Sequence, residues 1–295
     1  SPGVARLLLA NLLLVAALGD RSPLVKGTAA AALGLIGDAT AADAIGRMAA
    51  AIADSGALAE LPPDAEDARR DTPAAAYRLA LYALVRIKAY EPLAAAALDT
   101  SGQPRVRWWP VAFALQRIED PRALPALMTL AKDPHPYTRA FAAKGLGPLK
   151  NRAALEVLLP MVTSADRSVA IEAIRSIGRL GDPSAAPSLL KIVQTAKSDL
   201  HVRLEAVSAL GGLHADGVMD TLLDALADPS PPVRSAAIRG LAQLDPEGFV
   251  TVLSGLDPDT HWSVRATLAS VLGTMPPDAG LPRLRSLVGD SDSRV

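Results

Sequence analysis

The 295-residue chain has no cysteine. That excludes a disulfide framework, thiolate metal ligands and a cysteine nucleophile. Aromatic residues make up only 3% of a chain that is half hydrophobic, so the core must be built from Ala, Leu, Val and Ile. Neither sign of charge is in excess. Thirty Lys and Arg against 31 Asp and Glu leave a net charge of −1, and no global field draws nucleic acid or an anionic membrane. A long hydrophobic run is missing too. The stretch Leu7–Leu18 covers 12 residues and is interrupted by Asn11, too short for a membrane span.

What is present is a repeat. Val25-Lys26, Val106-Arg107, Thr138-Arg139, Val169-Ala170, Val202-Arg203, Val233-Arg234 and Val264-Arg265 align, with a weaker copy at Ala76-Tyr77. From Val106 onward the anchors recur every 31 to 33 residues, the period of a solenoid of small helical units. Four residues after the anchor stands Ala29, Ala142, Ala173, Ala206 or Ala237, with Leu268 the exception. Eight residues after it stands Leu33, Leu146, Ile177, Leu210, Leu241 or Leu272. Positions 0, 4 and 8 share one face of an α-helix. Gly34, Gly147, Gly178, Gly211 and Gly273 follow and are expected to help the chain leave that helix.

Each unit holds another helix earlier in its repeat. It starts at phrases such as Asp120-Pro121 and Asp182-Pro183, where Asp caps and proline is tolerated in the first turn. The runs that follow, such as APSLLKIVQ and MDTLLDALAD, carry apolar residues at helical spacing. Residues 13–26 align with residues 221–234, so the leucine-rich start reads as a first helix of the repeat rather than a signal peptide.

These residues, Asp-Pro-x-Ala-x-x-Pro and then Asp…Val-Arg-x-x-Ala-x-x-x-Leu-Gly, resemble the HEAT family in its short bacterial form, the PBS-lyase-type HEAT-like repeats. The resemblance implies an all-α, right-handed α-solenoid of about eight antiparallel helix pairs over 1–295, a single HEAT-like superhelix. It covers nearly the whole chain. The motif describes a scaffold, so the word lyase in the label carries no activity by itself. The copies at Ala76 and Val169 lack the arginine, and Pro110 falls inside the second helix of the Val106 unit, so irregular units are expected there. Val295 stands at a ninth anchor, 31 residues after Val264, which reads as a fragment of a longer chain.

Six units carry Lys or Arg directly after the anchor: Lys26, Arg107, Arg139, Arg203, Arg234 and Arg265. Five carry Asp five residues before it: Asp20, Asp71, Asp133, Asp228 and Asp259. The resemblance implies a ladder between adjacent units. A row that recurs with the fold's own period reads as struts rather than as a ligand site. Residues 54–73, DSGALAELPPDAEDARRDTP, break the period. They read as an acidic, proline-containing loop inserted in the second repeat, either solvated or a contact arm for a basic partner.

Eight of the ten aromatic residues lie between Tyr77 and Phe141. This cluster either fills gaps around the irregular units or forms a hot spot for a protein or peptide partner. The second reading assigns Trp108, Trp109, Phe141, Arg105, Tyr137 and Lys144 to partner binding. A weaker basic stripe, Lys144, Arg175 and Arg239, reads as a solvated face.

Chemistry is not signalled. His135, His201, His214 and His261 are scattered over different units without metal spacing. There is no H-E-x-x-H, no phosphate-binding glycine loop and no nucleophile elbow. No chromophore site is identifiable, and no cofactor, nucleic acid, membrane or small-molecule substrate is indicated. The expectation is a non-catalytic protein–protein interaction scaffold, not an enzyme. The alternative is a HEAT accessory region of a larger enzyme, such as a cyclophilin-type peptidyl-prolyl isomerase, suggested by a likeness over residues 105–147.

Overall fold

The structure is a computed structural model that describes residues 2–59, 61, 71–195, 198–254 and 257–295. Among them the chain forms seventeen α-helices and no strand. It divides into two compact units, Ser1–Leu149 and Lys150–Val295.

The first unit holds α1 (Pro2–Ala17), α2 (Pro23–Ile36), α3 (Ala42–Asp54), α4 (Pro73–Ile87), α5 (Tyr90–Ala97), α6 (Trp109–Ile118), α7 (Leu124–Leu130) and α8 (Pro136–Leu146). The second holds α9 (Leu155–Met161), α10 (Arg167–Leu180), α11 (Ala186–Gln194), α12 (Leu200–Leu210), α13 (Val218–Asp224), α14 (Pro231–Leu244), α15 (Pro246–Ser254), α16 (Trp262–Leu272) and α17 (Pro277–Leu287). Odd and even helices alternate as first and second members of eight pairs, and α17 starts a ninth. The leucine-rich start is α1, and Asn11, which interrupts its apolar run, donates to Asp38 Oδ2 at 2.6 Å.

The even helices stack side by side. In the first unit α2 packs on α4, α4 on α6 and α6 on α8; in the second, α10 packs on α12, α12 on α14 and α14 on α16. The small-then-large face predicted from the anchors forms this seam. Ala142, Leu146, Ala173, Ile177, Ala206 and Leu210 are all fully buried. Each buried leucine contributes about 2 kcal/mol by leaving water, and alanine one turn earlier lets the neighbouring helix approach.

Helix starts follow side-chain chemistry. Ser22, Thr72, Asp166 and Asp199 cap α2, α4, α10 and α12 by accepting a backbone N–H in the first turn, each worth about 1 kcal/mol. Asp38, Asp120, Asn151 and Asp182 accept from the N–H two residues on and open a short 3-10 turn before α3, α7, α9 and α11.

Three sequence expectations are corrected. Val106 lies outside a helix: α6 begins at Trp109, and Val111 takes the third helical position that Val169, Val233 and Val264 hold in their own helices. The cause is Pro110. It lacks an N–H and fits only the first turn, so the helix starts later than the alignment placed it and Pro110 does not interrupt it. Gly34 and Gly178 do not release their helices. A Cβ on Gly34 would stand 2.6 Å from Ala83 Cα, and one on Gly178 would stand 2.9 Å from Ala209 Cβ, so both glycines permit close helix packing. The exits are made by Gly37 (φ 74°) and Gly181 (φ 70°), left-handed positions that suit glycine.

The end of α3 at Asp54 and the start of α4 at Pro73 bound the stretch where the period breaks. Leu58 in that stretch is buried. Residues 60 and 62–70 of the expected loop lie outside the described residues.

Candidate functional site

Three neighbouring even helices of the first unit, α4, α6 and α8, bring aromatic side chains into one continuous row. Tyr82 on α4 meets Phe113 on α6 edge to face, with ring centroids 5.1 Å apart. Phe113 meets Phe141 on α8 at 5.4 Å in the same manner. Phe141 stacks on Trp109 at 5.8 Å with 27° between the planes. Trp109 and Phe113 are four residues apart and therefore share a face of α6. All four rings are half-buried: packed on each other, with part of their surface open. Burial pushes the Tyr82 phenol up to about 12, although the Arg78 charge pulls the other way. It therefore stays protonated at neutral pH.

Trp108 differs from its neighbour. It occupies the cap position of α6 in extended backbone, φ −138° and ψ 143°, and is 5% exposed. Its ring meets that of Trp109 at 6.5 Å. The indole nitrogens of both tryptophans are enclosed without an acceptor among the described residues. Trp108 is a core residue; Trp109 belongs to the row.

The other predicted site residues are spread out. Arg105 forms an ion pair with Asp54 and donates from Nε to the Leu98 carbonyl at 2.8 Å, so it anchors the loop before α6. Tyr137 is 53% exposed and its ring lies 5.5 Å from His135. Lys144 stands three residues after Phe141 on α8. Tyr82 and Phe113 belonged to the aromatic cluster read from the sequence but were not assigned to the site, and the exposed Arg86 and Arg117, each four residues after one of them, were missed. The available signal was the spacing: Tyr82-x-x-x-Arg86 and Phe113-x-x-x-Arg117 each put an aromatic and a cation on one helix face.

Three of the periodic arginines are struts between repeats, whereas Arg107 is exposed outside a helix. In the second unit Arg203 pairs with Asp228, Arg234 with Asp259 and Arg265 with Asp290, each across 25 residues into the next repeat. Arg265 Nε and Nη2 donate to the two Asp290 oxygens at 2.6 and 2.8 Å, and Nη1 donates to the Asp259 carbonyl at 2.9 Å. In the first unit Arg139 Nη1 donates to the Asp133 and Pro134 carbonyls. The aspartates form tight turns rather than helix caps: Asp228 and Asp259 accept from Ser230 N and His261 N, two residues on. Of the second basic stripe, Arg175 is spent between Glu172 and Glu205. Among the described residues no group of three or more His, Asp or Glu side chains is placed to hold a metal.

The model for HEAT repeats matches residues 129–201 and 195–257, and that for the PBS lyase HEAT-like repeat matches residues 111–133. The chain belongs to the HEAT-repeat family. This HEAT-repeat chain is 32% identical over 166 residues to phycocyanobilin lyase subunit alpha of Picosynechococcus sp., covering 50% of this chain and 61% of that protein. It is 30% identical over 181 residues to the same subunit of Nostoc sp., covering 54% and 64%. The chain thus spans a little over three fifths of the length of these relatives. Among solved structures, Kap121p bound to Nup53p matches with a TM-score of 0.59 at 14% identity over 95% of this chain and 35% of that one, which shows the fold alone.

These relatives overturn the expectation that the chain stands outside enzymology, since they are named as subunits of a lyase. The expectation rested on the absence of short catalytic motifs. A solenoid spreads its functional side chains over several repeats, so such a motif is a poor detector of what the fold does.

Proposed function

We infer that this HEAT-repeat chain serves as a subunit of a bilin lyase, with the aromatic face of α4, α6 and α8 as the surface that receives the pigment. Phycocyanobilin, named in the relatives, is an open-chain tetrapyrrole, a long conjugated ligand with planar rings and two propionate side chains. The observation that carries the reading is the contiguous row Tyr82–Phe113–Phe141–Trp109 in a chain that is otherwise poor in aromatics. Partly open rings offer a stacking surface for a conjugated ligand without a dedicated cavity. This widens the expected ligand from a protein or peptide alone to a small molecule. The same face still suits a protein partner, and the relatives are named as subunits.

The test is titration of phycocyanobilin into the purified chain, followed by visible absorption, induced circular dichroism and tryptophan fluorescence. Binding is expected to induce a dichroic signal in the pigment and to quench Trp109. The paired change Trp109→Ala and Phe141→Ala should weaken both effects in a protein that still folds. A pigment spectrum left unchanged by a large excess of the chain would rule this function out.

A further inference from the structure

The aromatic row has a second row beside it. Arg86, Arg117 and Lys144 each follow a ring of the row by one helical turn: Tyr82 on α4, Phe113 on α6 and Phe141 on α8. Residues three or four apart share a helix face, and α4, α6 and α8 pack side by side. The two rows therefore run parallel across the same three helices. None of the three helices contains an aspartate or glutamate, although the chain as a whole carries net charge −1. The arginines of the strut ladder are neutralised by aspartates. Arg86, Arg117 and Lys144 form no ion pair among the described residues, and Arg86 and Arg117 are exposed. A one-signed row of free cations beside a low-dielectric aromatic surface concentrates an attractive field for anions at that edge.

We propose that Arg86, Arg117 and Lys144 form a carboxylate-recognition edge, which orients a planar conjugated dicarboxylate by gripping its acid groups while its rings stack on Tyr82, Phe113, Phe141 and Trp109. The proposal rests on the pigment-binding reading above and adds the polarity of binding to it. Guanidinium groups meet a carboxylate with two parallel donors, and lysine adds a point charge. Stacking alone would leave the ligand free to slide or flip along the row. Charge at one edge fixes which side of the pigment faces the row of cations and which side stays open.

The experiment compares biliverdin with its dimethyl ester, which keeps the conjugated rings and removes both negative charges. Dissociation constants are measured by absorption for the chain and for the triple variant Arg86→Ala, Arg117→Ala, Lys144→Ala, with thermal melts as a check on folding. The chain is expected to bind the acid about tenfold more tightly than the ester, from three partly solvated ion pairs. The triple variant should bind the two pigments equally, near the ester's affinity, and the acid preference of the unaltered chain should shrink as salt is raised. Equal binding of acid and ester by the unaltered chain overturns the carboxylate edge while leaving pigment binding intact. A triple variant that keeps the tenfold preference does the same. Failure of both pigments to bind removes the underlying reading and this proposal with it.

Discussion

Arg234 holds Asp259 with two parallel hydrogen bonds, Nε to Oδ2 at 2.7 Å and Nη2 to Oδ1 at 2.9 Å. The third guanidinium nitrogen, Nη1, donates to the Asp228 carbonyl at 2.8 Å. One side chain thus joins the turn before its own helix to the turn before the next. Both partners are largely shielded, with side-chain exposures of 13% and 21%. Arg234→Ala should cost about 1–2 kcal/mol, because it removes both guanidinium donors from Asp259 and the side-chain donor from a backbone carbonyl at once. Denaturant unfolding is the measure. An Arg234→Ala, Asp259→Ala double-mutant cycle should show coupling; additive effects would contradict the strut.

The same rungs set a pH dependence. Hydrogen bonds from Arg234 hold the Asp259 carboxyl below the usual carboxylate range, and those from Arg265 do the same for Asp290. A depressed folded value means that the unfolded chain binds protons first as the medium acidifies. The stabilisation is therefore complete above the unfolded carboxylate value near 4 and is lost as pH falls through the folded values. The urea midpoint should stay level from about pH 8 to 5 and drop below about pH 4. Arg265→Ala should make that drop shallower, and an unchanged slope would count against the rung.

How far these features were legible depends on whether they repeat. Arg234 was readable as a strut because its neighbours at Arg203 and Arg265 carry the same spacing, and repetition averages out the accidents of one unit. The Ala-then-Leu seam was readable for the same reason. The start of α6 was not, because Pro110 moved it locally and the alignment treated Val106 as one more copy. The aromatic row was half readable. Trp109 and Phe141 stood out as rare residues, but Tyr82 and Phe113 become their partners only once α4, α6 and α8 lie side by side. Trp108 and Trp109 look equivalent in a sequence. The helix boundary between them makes one a buried cap residue and the other part of a surface.

That boundary predicts different outcomes for the two tryptophans. Trp108→Ala removes a ring that is 5% exposed and should cost about 3–5 kcal/mol. Trp109→Ala loses one stacked neighbour and part of a half-buried surface, about 1–2 kcal/mol. Its larger effect should fall on pigment binding. Thermal melts and pigment titrations on the two single variants separate these roles. Equal destabilisation by both would return Trp109 to the core.

The glycines of the seam make the last prediction. In an isolated helix Gly34→Ala would be favourable by roughly 1 kcal/mol. In α2 the added methyl would stand 2.6 Å from Ala83 Cα and 2.7 Å from Ala83 Cβ. Neither atom can swing away, because one is backbone and the other is fixed to it. The helices α2 and α4 would have to separate, opening the seam between Leu33 and its buried neighbours. Overpacking of this kind costs about 1–3 kcal/mol, which outweighs the propensity gain, so Gly34→Ala should lower the melting temperature. Shortening the opposing side chain with Ala83→Gly should recover part of the loss, since it removes the methyl clash and leaves only the clash with the backbone. A stabilised Gly34→Ala protein would mean that α2 and α4 tolerate a wider spacing, and that the glycine serves local backbone freedom rather than close packing.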